Sequence, residues 1–237
     1  MRRLNFSLFV LVAAALPLSG AQAGGPLVDV RSADPTIVVE LRYAGSNNLV
    51  GYPLYPRGTC ALARPEVASG LAAAQAFLRR YQLGLKIWDA YRPVAVQEKL
   101  WKTSHNSDYV ANPEVGVGSL HSWGVAVDAT LVDAWNRPVT MPSDFDNFTP
   151  AAMWRYAGPH LDVRAHVHLL QLAMRNGGFW DCAPSGGISR LLTGKSTCRT
   201  KLREPHRSGA PNGKASCDGH SAIPTEMEES LSLKDNR

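Results

Sequence analysis

Apolar and polar positions follow two rhythms along the chain, and each rhythm predicts an element. From Pro65 through Gln82, the residues Val67, Leu71, Ala74, Leu78 and Tyr81 recur at helical spacing, and Gly84 reads as the stop. Val94 to Thr103 predicts a second, shorter helix directly after a proline. A third helix is predicted with Asp162 as its cap, Val163, Val167, Leu170 and Met174 on its inner stripe, and Gly177-Gly178 at its end. Between them, Thr36 to Leu41 is strand-like and Leu85 to Trp88 reads as a buried strand. Val125 to Leu131 alternates with period two, as a strand does. Strands and helices are mixed without βαβ spacing and without an internal repeat, so an α+β fold is expected.

The rhythms stop at both ends of the chain. Arg2 and Arg3, the apolar run Leu4 to Leu18 and the small-residue site Ala21-Gln22-Ala23 have the form of an export signal. The run is too short for a membrane anchor, so residues 1–23 are expected to be removed and the protein to be exported, to a periplasm, with no stable anchor. After Trp180 the chain has no Phe, Tyr or Trp, and Ser, Gly, Lys, Arg and Thr dominate. Residues 185–237 are therefore expected to be disordered, and 24–184 to form one domain.

Charge sharpens this division. The net charge of +5 in 237 residues would by itself suggest a nucleic-acid partner. Yet residues 24–184 hold 14 basic and 14 acidic side chains, while the leader carries two basic ones and the tail nine basic against six acidic. The expected folded body is neutral, which argues against nucleic acid. Charge and pattern leave the oligomeric state open.

Two stretches of the body can do chemistry. His121 lies in a turn-rich segment just before a predicted strand that carries Asp128, with Gly124 letting the chain turn between them. Asp128 shares a face with Ala126 and Thr130. An imidazole and a carboxylate so placed suit a metal such as zinc. They equally suit a salt-bridged capping Asp beside a surface His, because two ligands do not define a site. Trp88-Asp89-Ala90-Tyr91-Arg92-Pro93 follows a buried strand and ends in a proline-fixed turn. Arg92 there either neutralises an oxyanion or grips a carboxylate in a cleft, or braces a helix end or pairs with Asp89.

Together these stretches resemble the zinc D-alanyl-D-alanine dipeptidases. The shared pattern is Asp-x-Tyr-Arg-Pro at Asp89 to Pro93, Ser-x-His-x-x-Gly-x-Ala-x-Asp at Ser119 to Asp128, Phe145-Asp146, and a helix ending at Gly178-Phe179. The likeness spans Val28 to Pro184. It implies a small antiparallel sheet flanked by helices and zinc-assisted hydrolysis of the D-Ala-D-Ala dipeptide or a related cell-wall peptide. By the same resemblance His121 and Asp128 are zinc (Zn2+) ligands, Arg92 stabilises the transition state, Asp146 holds the substrate's ammonium, and Ser119 touches the substrate.

The pattern then breaks. The family closes its site with Glu-x-Trp-His or Glu-Trp-Trp-His, which supplies the general base and the third zinc ligand. Here Gly178-Phe179-Trp180-Asp181-Cys182-Ala183-Pro184 is followed by Ser185-Gly186-Gly187-Ile188-Ser189-Arg190. Those six residues can be encoded AGT GGT GGC ATT TCT CGC. Read from the last base of a CCG codon for Pro184, the same bases give GAG TGG TGG CAT TTC TCG, or Glu-Trp-Trp-His-Phe-Ser. A single-base frameshift at Pro184 is therefore expected, and with it a chain with little or no activity. Glu204-Pro205-His206 and His220 lie in the tail with nothing to fix their geometry, and His160, His166 and His168 are expected on the surface. Cys60 and Cys182 belong to the body and can be bridged in an exported protein. Two other functions fit the same residues: a carboxypeptidase acting on muropeptides, and a non-catalytic protein that binds cell-wall peptides.

Overall fold

The computed structural model describes residues 26–107, 109–116, 118–147, 156–181 and 195–198. Its strands are β1 (Val28–Asp29), β2 (Val38–Val39), β3 (Leu62–Ala63), β4 (Leu83–Asp89), β5 (Ala126–Asp133), β6 (Trp180–Asp181) and β7 (Lys195–Cys198). The helices are α1 (Pro65–Arg79), α2 (Val94–Ser104) and α3 (Leu161–Asn176). The fold is α+β. A two-stranded sheet pairs β1 with β3, and a five-stranded sheet runs in the order β2-β4-β5-β7-β6. Every pair is antiparallel except β2–β4, which is parallel and fixes Val38 opposite Lys86.

The main core lies on one face of the large sheet. Leu85 and Ile87 of β4 pair with Leu131 and Ala129 of β5. They meet Val67, Leu71, Ala74 and Leu78 from α1 and Leu170, Ala173 and Met174 from α3. The expected stripe of α1 is buried as far as Leu78. Tyr81 is not on it, since the helix has ended by then, and Tyr81 is 48% exposed. Gln82 adopts a left-handed conformation (φ 57°) that turns the chain, and Gly84, expected as the stop, already lies in β4. Asp162 likewise sits within the first turn of α3 rather than capping it; His160 occupies the cap position. The far end is as expected, with Gly178 at φ 80° and Phe179 N–H donating to Met174 O. Where α3 ends it touches α1. A Cβ on Gly177 would lie 2.3 Å from the carbonyl oxygen of Gly70, so only glycine fits.

The opposite face carries a second apolar cluster of Tyr43, Leu54, Tyr55, Trp88 and Phe145, with Val96 and Leu100 from α2. An irregularity in β4 connects the two faces. The register shifts between Ile87, opposite Ala129, and Asp89, opposite Asp128. Strict alternation would send Asp89 to the face of Ile87. The bulge brings it instead to the side of Asp128.

Residues 1–23 lie outside the described residues. Of the segment expected to be disordered, Lys195–Cys198 is ordered as β7, along the edge of β5 away from β4. That edge offers a row of backbone donors and acceptors, and a strand of almost any sequence can satisfy it. Cys60 is disulfide-bonded; its expected partner, Cys182, lies outside the described residues. Among the described residues no helix is long and apolar enough to cross a membrane.

Candidate metal and substrate site

Two turns meet above the second face. Tyr91 N–H is held by Leu62 O at 2.7 Å, and Arg92 N–H by His121 O at 3.2 Å. The second turn is a short 3-10 helix, Leu120–Trp123, closed by Gly124 at φ 69°. A side chain at Gly124 would be strained there and would meet Leu27 at 2.5 Å. These backbone constraints aim His121 at β5. Its Nδ1 lies 2.8 Å from Ala90 O. A carbonyl only accepts, so Nδ1 carries the proton and Nε2 is the basic nitrogen. That Nε2 lies 3.6 Å from Asp128 Oδ1. Both residues are buried. An imidazole with its other nitrogen fixed by a carbonyl is the usual state of a metal-ligating histidine.

Asp89, His121 and Asp128 each offer one ligand atom within 4.8 Å of the others. They do not play equal parts. Asp89 Oδ1 accepts from the Tyr55 hydroxyl at 2.7 Å, and Oδ2 accepts from Arg92 Nε at 2.8 Å. With both oxygens engaged, Asp89 serves as the anchor of Arg92. The fit to a divalent cation rests on His121 Nε2 and Asp128, a nitrogen–oxygen pair suited to zinc-type ions. Among the described residues, that is two ligands of the usual three.

Arg92 is fixed on three sides. Besides Asp89, it donates from one terminal nitrogen to Gln97 Oε1 at 2.8 Å, and the other reaches Asp128 Oδ2 at 3.4 Å. Its guanidinium lies over the Tyr43 ring, 5.1 Å from the centroid. Burial works against the Arg92 charge, but Asp89, Tyr43, Tyr55 and Asp128 together outweigh it and hold the group charged. Burial pushes the Asp89 carboxyl up, opposed by Arg92 and His121. Arg92 therefore pairs with Asp89, as one reading of the sequence has it, and also reaches Asp128.

Asp146 lies across Tyr43 from this cluster. Its backbone is left-handed (φ 52°), Leu49 N–H donates to Oδ2 at 2.8 Å, and the Tyr43 hydroxyl lies 3.3 Å from Oδ1. Burial raises its carboxyl from the ordinary 3.8 to about 6, against the opposing backbone hydrogen bond from Leu49. Ser119 is buried two residues before His121, and its carbonyl accepts from Ser122 N–H. Thus His121, Asp128 and Arg92 are brought together, Asp146 is joined to them through Tyr43, and Ser119 flanks them. Sequence reasoning did not place Tyr43, Tyr55 or Gln97 in the site. None belongs to a local motif, and only the fold brings them to Arg92 and Asp146.

Comparison with known proteins gives the family. A family model described as D-Ala-D-Ala dipeptidase matches residues 24–183. The D-alanyl-D-alanine dipeptidase of Escherichia coli (strain K12) is 32% identical over 153 residues, which cover 65% of this chain and 78% of that protein. Among solved structures, the L-Ala D-Glu endopeptidase of Serratia marcescens aligns over 70% of this chain and 93% of its own, at 16% identity and a TM-score of 0.34.

Proposed function

The chain belongs to the D-Ala-D-Ala dipeptidase family of peptidases, and on that premise we propose that it carries the substrate half of a zinc site for the D-alanyl-D-alanine dipeptide. The carrying observation is the convergence of His121 Nε2 and Asp128 Oδ1, 3.6 Å apart, beside the fixed Arg92. In this reading the two residues hold a zinc ion, which when bound polarises the scissile carbonyl and acidifies a water molecule. Arg92, charged and rigid, faces the oxygen on which negative charge develops. Asp146 binds the dipeptide's ammonium, and Ser119 contacts its backbone.

The same reading makes the chain as written inactive. The family's Glu base and third ligand follow Gly-Phe, and here Pro184 and the tail stand in their place. The family match ends at residue 183, next to the frameshift expected at Pro184. Two ligands hold zinc far more weakly than three, and loss of the base removes roughly 10²–10⁴-fold in rate. A binding protein without turnover is thus the second reading, favoured by the engagement of Asp89 with Tyr55 and Arg92, which leaves two of the three grouped residues as ligands. Export to a periplasm is part of the proposal, and the family match begins directly after the leader, at residue 24.

The test compares the purified chain with a version whose frame is restored at Pro184, both with zinc and D-Ala-D-Ala. Release of D-Ala only by the restored chain is expected. Robust turnover by the chain as written refutes its inactivity, and a gene with no Glu-Trp-Trp-His frame at Pro184 removes the frameshift.

A further inference from the structure

Asp146 is presented by a short loop in a conformation unusual for a residue with a side chain, and such a conformation persists only where its surroundings hold it. We infer that Arg42 is a positioning residue for Asp146: by anchoring Asp144 and stacking on Trp88, it fixes the loop that aims Asp146 into the site. The inference rests on the reading of Asp146 as the ammonium-binding carboxylate.

Arg42 donates to Asp144 Oδ1 at 3.0 Å, and the same oxygen accepts Phe145 N–H at 2.8 Å. The guanidinium lies 4.9 Å from the centre of the Trp88 ring. Its Nε is 3.0 Å from Glu40 Oε1, and Glu40 Oε2 accepts from Lys86 of β4 at 2.7 Å. Arg42 is thereby rooted in the sheet. Phe145 stands edge-on to Tyr43 and Trp88, with ring centres at 5.2 and 5.8 Å. Tyr43, the next residue after Arg42, contacts Asp146 itself. Consecutive residues of one short turn thus grip the loop at Asp144 and at Asp146. On the outer side Arg42 and Asp144 line an open cleft of about 350 Å³, so on that side the ion pair rather than packing supports the loop. An ordinary surface pair is worth little, but the Arg42 side chain is only 14% exposed and linked to three partners. Its effect is on geometry more than on stability.

The consequence has a distinctive sign. Asp146 faces Tyr43 and Leu49, and across the site it feels Arg92 and Asp128. Losing the Arg42 charge alone would raise a neighbouring carboxyl, because a cation favours the carboxylate. Releasing the loop would expose Asp146 to water and lower it.

The experiment follows the Asp146 carboxyl by NMR in the full chain with carbon-13-labelled aspartate, its signal assigned by Asp146→Asn. In Arg42→Gln and in Asp144→Asn the midpoint should fall by about one pH unit or more toward the ordinary value, with Arg42→Lys returning it most of the way. A midpoint that is unchanged or raised in folded Arg42→Gln and Asp144→Asn overturns the inference. Calorimetry with D-Ala-D-Ala and its N-acetylated form, which lacks the ammonium, supplies a second readout. The parent should prefer the free dipeptide, and Arg42→Gln should lose about tenfold of that preference. A parent preference that survives in Arg42→Gln overturns the inference. A parent without any preference refutes the substrate role of Asp146, and the titration then decides on Arg42 alone.

Discussion

Asp89 decides the character of the site at the scale of single residues. It is fully buried, and its two negative oxygens are held by Arg92 and Tyr55, with His121 Nδ1 3.5 Å from Oδ2. Removing one member of such a pair strands the other charge. Asp89→Ala should therefore cost about 3–5 kcal/mol in denaturant unfolding, although Asp89 is not itself read as a metal ligand. Asp146 gives a pH-dependent counterpart. Its carboxyl is raised from 3.8 to about 6 in the folded protein. The protonated form is thus favoured by folding, so the contribution is present below pH 3.8 and is lost as pH rises through about 6. Ammonium binding has the opposite need. Dipeptide affinity should rise as pH climbs through about 6 and fall again above about 8, where the dipeptide's amine loses its proton, and calorimetry on Asp146→Asn should show the stability trend and the rise through about 6 abolished. His121, Asp128 and Arg92 could be singled out in the sequence because each sits in a short motif that resembles the family's, while spacing alone left their roles open. Tyr43, Tyr55 and Gln97 were not, because they reach the site from other loops and α2, and no spacing records a tertiary contact.

Elements were legible where one period ran long enough to declare itself. The stripe of α1 and the alternation of β5 were readable, although β5 is buried on both faces from Ala126 to Val132. Their ends were not. Tyr81 continues the helical spacing on paper, but Gln82 has already turned the chain by its left-handed backbone. The bulge in β4 was equally hidden: no residue type announces it, and it appears only as a register shift against β5. Two glycines carry predictions at this scale. Gly177→Ala would drive a methyl group into the Gly70 carbonyl at the α1–α3 crossing, a destabilisation of about 1–3 kcal/mol by thermal or chemical unfolding. Gly124→Ala would strain the turn that aims His121, so it should weaken zinc binding as well as stability. A variant that lost stability but kept full zinc affinity would show that the turn does not position the ligand.

The molecule as a whole separates its two tasks by sheet face. One face, with α1 and α3, holds the main core, and the other holds the site and the smaller cluster around Trp88. The charge count is reinterpreted at this scale: the body expected to fold is neutral, and the net +5 belongs to its two flanks. Ligand binding should report through linkage whether the site is complete. Zinc should raise the melting temperature of the frame-restored protein, and move that of the chain as written far less, in a calorimetric scan. An equal shift in both would mean that residues beyond His121 and Asp128 complete the site in the present chain. The Asp89–Arg92–Tyr55 lock has a further, genetic consequence. Because it assembles from residues that all precede Pro184, selection for a foldable body continues to guard it even when turnover is gone. Under the frameshift proposed at Pro184, the gene would then keep its template for the site, one base away from reversion, instead of eroding at every site position together.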